Sequence, residues 1–385
     1  MNSFFNKKIR LLYFIIICLV LMCAAAVLTY SWVIGGFGAK EYADDAKKYI
    51  EIEKLISENY VDDIGRSELY ESAASAMVRS LGDKWSYYMT AEQYAAYKLS
   101  SANEYAGIGV SLKQNDKGEF EISSVDPGTP AYTAGLTAGQ FIVSVDGEKV
   151  KGMTITELQE LIRSKLDKNF NLEVSDGKGD ESTVNLACEA IYQSPVSHRL
   201  LDDGVGYIKI RNFEAGCCRD TVAAIEYLIS IGAKSFVFDL RDNPGGLLSE
   251  LAGVLDYILP EGDLFVSVDK TGRETVLRSD KICLKYNMAV LVNENTYSAA
   301  EFFAAAIQEY DWGTVVGGQT GGKARSQSTV ELSDGSAIHI STGKYLTPDR
   351  KDLAAAGGVT PDVPVQNTAD GTDLQLDTAV SKLRY

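Results

Sequence analysis

AVLVNENTYSAAEFFAAAIQEY, residues 289–310, is the stretch on which the reading of this chain turns. Ala289 to Val292 is a short run of apolar residues, as expected of a strand covered on both faces. From Ser298 onward, Phe302, Phe303, Ala306 and Ile307 fall on one side of a helix that runs to about Tyr310. Ser298 therefore stands where a buried strand hands over to a helix. Free backbone N–H groups and the positive end of the helix dipole favour negative charge there, which suits a serine alkoxide and the oxyanion formed when it attacks a carbonyl. The plain alternative is a capping box, with Ser298 capping the helix and Glu301 reaching back to it.

The same alternation extends outward. Strands are expected at Val205 to Ile210, Ser235 to Leu240 and Thr314 to Val316, with helices near Thr221 to Ser230 and Leu247 to Ile258. This predicts an α/β layer of largely parallel strands, with ligand sites at the strands' carboxyl ends. Two further motifs fall at such ends. Asp239 to Gly246 closes on Pro-Gly-Gly, so the N–H of Gly245 or Gly246 can turn toward a ligand and donate to an oxyanion beside Ala299 N–H; alone it reads as an ordinary turn. Lys323 ends the loop GGQTGGK, residues 317–323.

A serine nucleophile needs a base, and the chain has only two histidines: His198 in a polar linker and His339 alternating on an expected strand, Ser336 to Ser341. A neutral lysine can serve instead. For Lys323 that requires a pKa lowered by about 3 units, roughly 4 kcal/mol, hence burial with no carboxylate partner. Gln327, four positions on, fits as an uncharged group able to orient the amine. Individually these residues read as a loop lysine and a strand-edge amide; their placement after strands of one sheet makes them a candidate constellation.

With 385 residues the chain has room for two or three domains. Upstream of the α/β layer, Glu41 to Ser101 reads as helical, and from about Asn103 short runs at Ile108 to Leu112, Phe120 to Val125 and Phe141 to Val145 suggest a β-rich module. That module continues with a helix near Ile155 to Lys165 and a hairpin at Asp176 to Gly179. A formal net charge of −16 argues against nucleic acid as a partner, and two histidines with no zinc-like cysteine spacing argue against a metal site. Cys188, Cys217, Cys218 and Cys283 read as structural, either as thiols or with one bridge. Lys7, Lys8 and Arg10 precede Leu11 to Ala39, a stretch without charge, which is expected to anchor the chain in a membrane with its bulk outside; a cleaved signal segment ending near Ala24 to Ala26 is the alternative.

Taken together, the motifs resemble the carboxyl-terminal processing peptidases, the tail-specific serine proteases of peptidase family S41. The residues that carry the resemblance are Tyr105 to Val110, Val145-Asp146-Gly147, Asp239-Leu240-Arg241, Asn243 to Gly246, Ser298 to Glu301, Gly322-Lys323 with Gln327, and Gly358 to Asp362. Ser298 and Lys323 lie 25 positions apart, as the family's serine and lysine do. The resemblance implies a multidomain α/β and α+β protein: an anchor at 1–39, a helical region at 40–103, an inserted PDZ domain at 104–190 and a peptidase core with crotonase/ClpP-like βαβ units at 191–385.

It assigns Ser298, Lys323 and Gln327 as nucleophile, base and orienting residue, without a cofactor, and makes Gly107, Ile108, Gly109 and Val110 the loop that binds a substrate's C-terminal carboxylate. Partners implied are protein substrates with free C-terminal tails, a second copy of the chain through the helical region, and an adaptor or activator protein. Tyr297, Ala300, Ala324 and Gln140 depart from the family pattern and bear on substrate preference. The competing class is a catalytically silent PDZ scaffold; against a PDZ protease of the histidine-triad kind, this chain has no Gly-Asn-Ser-Gly-Gly text and no suitably placed histidine.

Overall fold

The computed structural model describes residues 19–26, 40–367 and 371–383. The chain divides into two compact units, Met1–Met77 and Val78–Tyr385. In the first, residues 19–26 are helical, and α1 (Lys40–Asn59) and α2 (Arg66–Arg79), which runs across the boundary, line an apolar groove of about 490 Å³ with Tyr49, Ile56, Leu69 and Met77 among its walls. Both α1 and α2 fall within the lead-in stretch read as helical. Most of the expected anchor, residues 11–39, lies outside the described residues. No helix among the described residues is long and apolar enough to cross a membrane.

The second unit opens with β1 (Tyr87–Met89) and α3 (Ala91–Ser101). The β-rich module follows as β2 (Glu104–Gly107), β3 (Val110–Gln114), β4 (Phe120–Val125), α4 (Pro130–Thr133), β5 (Phe141–Val145), β6 (Glu148–Lys149), α5 (Ile155–Arg163), β7 (Asn169–Ser175), β8 (Glu181–Ala187) and β9 (Glu189–Tyr192). Its main sheet runs β3-β4-β5-β7-β8, leaving β3 at an edge, while β2 and β9 form a separate antiparallel ribbon. Phe120, Ile122, Leu158, Phe170 and Leu172 fill its own core.

Beyond it come β10 (Val196–Leu200), β11 (Val205–Ile210), α6 (Cys217–Ser230), β12 (Ser235–Asp239), α7 (Leu248–Ile258), β13 (Gly262–Asp269), β14 (Glu274–Ser279), β15 (Asn287–Val292), α8 (Ala299–Glu309), β16 (Thr314–Gly317), β17 (Arg325–Glu331), β18 (Ala337–Leu346), α9 (Leu353–Ala356), β19 (Val363–Pro364) and α10 (Leu374–Lys382). The central sheet is ordered β10-β11-β12-β15-β16-β19, and every pair from β11 onward is parallel. Both β12 and β15 are almost wholly buried, which explains their unbroken apolar text. On one face, α6, α7 and α8 close over Phe236, Phe238, Val290 and Val292; α10 packs on the other, where Ala379 meets Val237 and Leu291.

Two features depart from the sequence expectation. The lead-in is not helical throughout: Tyr87–Met89 forms β1, which pairs with β18 at Tyr87↔His339. A second, antiparallel sheet, β1-β18-β13-β14 with β17 on β18, also stands beside the parallel one. Part of β18 coincides with the expected strand Ser336 to Ser341, whereas β17 is half-exposed and mixed in composition, so no period marks it. All cysteines among the described residues are free thiols.

Candidate active site

The crossing from β15 to α8 is sharp. Ser298 has φ +55° and ψ −123°, a backbone geometry that non-glycine residues rarely adopt. Several bonds hold it there. Thr296 Oγ1 donates to Leu240 O at 2.9 Å, Tyr297 N to Asn243 O at 2.9 Å, and Asp242 N to Asn293 Oδ1 at 2.9 Å. The loops after β12 and β15 are thus stitched together side by side, as adjacent parallel strands require.

Pro244-Gly245-Gly246 consequently lies against Ser298. At Gly245, φ is +101° and a β-carbon would come within 2.7 Å of Ser298 Cβ and 3.0 Å of Ala299 N, so only glycine fits. The sequence left Gly245 and Gly246 as equal candidates for an oxyanion donor. Gly245 N–H donates to Asn243 Oδ1 at 2.8 Å, whereas among the described residues no acceptor takes the Gly246 or Ala299 N–H. Gly246 and Ala299 are therefore the free pair.

Glu301, fully buried, organises the opposite wall. Its carboxylate accepts Ser298 N–H at 2.8 Å, Thr320 Oγ1 at 2.6 Å, Gly322 N–H at 2.7 Å and Lys323 N–H at 2.7 Å. The glutamate read as half of a capping box does cap Ser298, and it also fixes the loop that carries Lys323. Sequence reasoning missed this second task, and the Ser-x-x-Glu spacing was the one signal for it.

Ser298, Lys323, Gln327, Gly245 and Gly246 all line one cavity of about 470 Å³. The Lys323 Nζ stands over the Trp85 ring, 4.5 Å from its centroid, and Trp85 meets Tyr297 edge-on at 5.9 Å. Burial holds the Lys323 amine below the ordinary lysine range, although Asp83, Glu214 and Glu301 pull the other way. The expectation of a base without carboxylate neighbours is thereby corrected: three act on it. Gln327 makes no hydrogen bond to the amine; its Nε2 donates to Arg325 O at 3.0 Å and Ser341 Oγ at 3.3 Å, because the strand β17 turns it toward β18.

His339 lies on β18, its ring stacked on Tyr87 at 4.8 Å and its Nδ1 2.8 Å from Thr329 Oγ1, on the wall of the same cavity. His198 stands on β10 against Tyr227 and is not part of that wall. In the β-rich module, Gly107, Ile108, Gly109 and Val110 line a narrow pocket of about 70 Å³ with Gln159, Ile162 and Arg163 of α5, beside the open edge of β3. No group of side chains among the described residues could hold a metal ion.

Comparison with known proteins assigns residues 204–365 to peptidase family S41, 121–175 to the PDZ domain and 37–93 to the N-terminal domain of the activating protease CtpB. The carboxy-terminal processing protease CtpA of Bacillus subtilis is 30% identical over 348 residues, covering 89% of this chain and 74% of that protein. The carboxyl-terminal-processing protease of Synechocystis sp. is 28% identical over 354 residues, covering 85% and 82%. Among solved structures, the photosystem II D1 C-terminal processing protease matches with a TM-score of 0.50 and 25% identity over 87% of this chain and 96% of that one. An S41 protease structure from Bacteroides fragilis has the same TM-score at 17% identity, over 86% and 96%, and shares the fold. The chain belongs to peptidase family S41, as a carboxyl-terminal processing serine endopeptidase with a PDZ domain.

Proposed function

We propose that this peptidase is held at a membrane by its N-terminal segment, works outside the cytoplasm, and cleaves proteins near their C-terminal tails by a serine–lysine mechanism. The PDZ domain captures the free carboxylate at the Gly107–Val110 loop, and the tail adds as a strand to the edge of β3. Lys323 swings on its four-carbon stem from the Trp85 face toward Ser298. Its neutral amine takes the hydroxyl proton as Ser298 Oγ bonds to the peptide carbonyl carbon. The Ala299 and Gly246 N–H groups then receive the oxyanion. As the C–N bond breaks, Lys323 returns the proton to the leaving amine, and water repeats the sequence to free Ser298.

The observation that carries this reading is the common cavity of Ser298, Lys323 and Gly246, with the amine depressed by burial rather than fixed in an ion pair. The test uses the purified full chain and an unfolded reporter with an apolar C-terminal tail. Ser298→Ala and Lys323→Ala are each expected to reduce cleavage by at least about a thousandfold. Wild-type turnover in Ser298→Ala would refute the assignment.

A further inference from the structure

One acid in the cavity has no part in the mechanism above. Glu214 follows β11, and its side chain lines the same wall as Ser298 and Lys323. Its Oε2 is buried and, among the described residues, has no hydrogen-bond partner. The backbone around it is fixed on both sides. Asn212 Nδ2 donates to Asn103 Oδ1 at 2.9 Å, Asn103 Nδ2 donates to Ala215 O at 2.9 Å, and Glu214 N–H itself donates to Asn212 Oδ1 at 3.0 Å. A buried carboxyl oxygen without a partner is costly, and such an oxygen in a catalytic cavity calls for a function.

The groups that face it come from several elements: Lys323 from the loop after β16, Glu250 from α7, Tyr87 from β1, and Tyr97, Arg325 and His339 on the same cavity wall. Of the charged groups acting on Glu214, Lys323 favours its ionised form and Glu250 opposes it. The influence is mutual, since Glu214 in turn favours the charged form of Lys323.

We propose that Glu214 is a positioning residue for the base: as a carboxylate in the same cavity it holds the proton on the Lys323 amine, and so sets the lower pH limit at which Ser298 is activated. This rests on the serine–lysine reading. Burial pushes the Glu214 carboxyl up to about 7, so it is ionised across the range above neutrality in which Lys323 must lose its proton. Replacing it with a neutral group lets Lys323 deprotonate at lower pH.

The test is the pH dependence of kcat/KM between about pH 6 and 10 for the full chain, with a reporter free of ionisable side chains near the cleavage site. Glu214→Gln is expected to move the acid limb down by about one unit, up to about tenfold faster on that limb. Glu214→Met, which puts apolar atoms where the carboxyl lacks a partner, moves it the same way, and Glu214→Asp restores the wild-type limb. Limbs that superimpose for wild type, Gln and Met overturn the proposal. So does an effect confined to KM for reporters carrying Lys or Arg, which would make Glu214 a binder of substrate cations. Lys323→Ala separates the two levels: wild-type turnover in that variant removes the base itself, whereas an inactive Lys323→Ala with an unmoved Glu214→Gln limb removes only this inference.

Discussion

Glu301 accepts the Ser298 and Lys323 N–H groups on one oxygen, Oε2, and the Gly322 N–H and Thr320 hydroxyl on the other, so one carboxylate sets the spacing of residues 25 apart in the chain. Glu301→Gln puts amide hydrogens where donors already point. It is expected to cost about 2–4 kcal/mol in urea denaturation and to lower cleavage at least about tenfold. An unchanged midpoint and rate would show the four bonds to be incidental. Gly245→Ala tests the other side of the serine: its methyl meets Ser298 Cβ and its φ is unfavourable, so kcat should fall by at least about tenfold while the fold survives. The motifs exposed Ser298, Lys323 and the glycine pair because each depends on local text. Glu214 was silent, since a lone glutamate in a loop has no pattern until its neighbours in space are known. The orientation of Gln327 was not legible for the same reason: its spacing from Lys323 puts it on the cavity wall, but strand pairing decides where its amide points.

The end of β12 adds an ion network to its apolar packing. Asp239, almost wholly buried, accepts Arg241 Nη2 at 2.6 Å, Lys209 Nζ at 3.2 Å and Tyr207 OH at 2.7 Å, and Arg241 Nη1 reaches Asp373 at the start of α10 at 2.7 Å. Burial alone would raise the Asp239 and Asp373 carboxyls, but Arg241 holds both below the usual range. Their stabilisation is therefore present above the unfolded value of about 3.9 and lost as pH falls through the lower folded values. Wild-type stability should drop below about pH 4, and Asp373→Asn should flatten that drop in urea titrations at stepped pH. Arg241→Met, which leaves Asp239 with only Lys209 and Tyr207 and takes the guanidinium from Asp373, is expected to cost about 2–4 kcal/mol at neutral pH. The sequence showed Asp-Leu-Arg as a motif; its partner lies 132 residues away on a helix that no local signal connects to it.

Across the second unit, the strand–helix alternation made the parallel sheet legible because strands buried on both faces write continuous apolar runs. Of the antiparallel sheet that completes the cavity only the first part of β18, Ser336 to Ser341, was legible, since β17 mixes polar and apolar residues without a clean period. The PDZ region joins the core through Asn103 and through Tyr192 OH, which donates to Asp220 at 2.7 Å, so the PDZ domain and the peptidase core belong to one unit. Amidating the reporter's C-terminus removes the charge offered to the Gly107–Val110 loop. Its kcat/KM should fall about tenfold, mostly through KM, with kcat little changed. Equal rates for acid and amide would remove the PDZ loop from recognition. The central claim is that peptide bonds break through an ester on Ser298. Rapid acid quenching of the wild-type chain with reporter, followed by mass mapping, should find the reporter's acyl fragment on the Ser298 peptide and none in Lys323→Ala. Acylation at another residue, or cleavage without any adduct that persists in Ser298→Ala, would contradict the account.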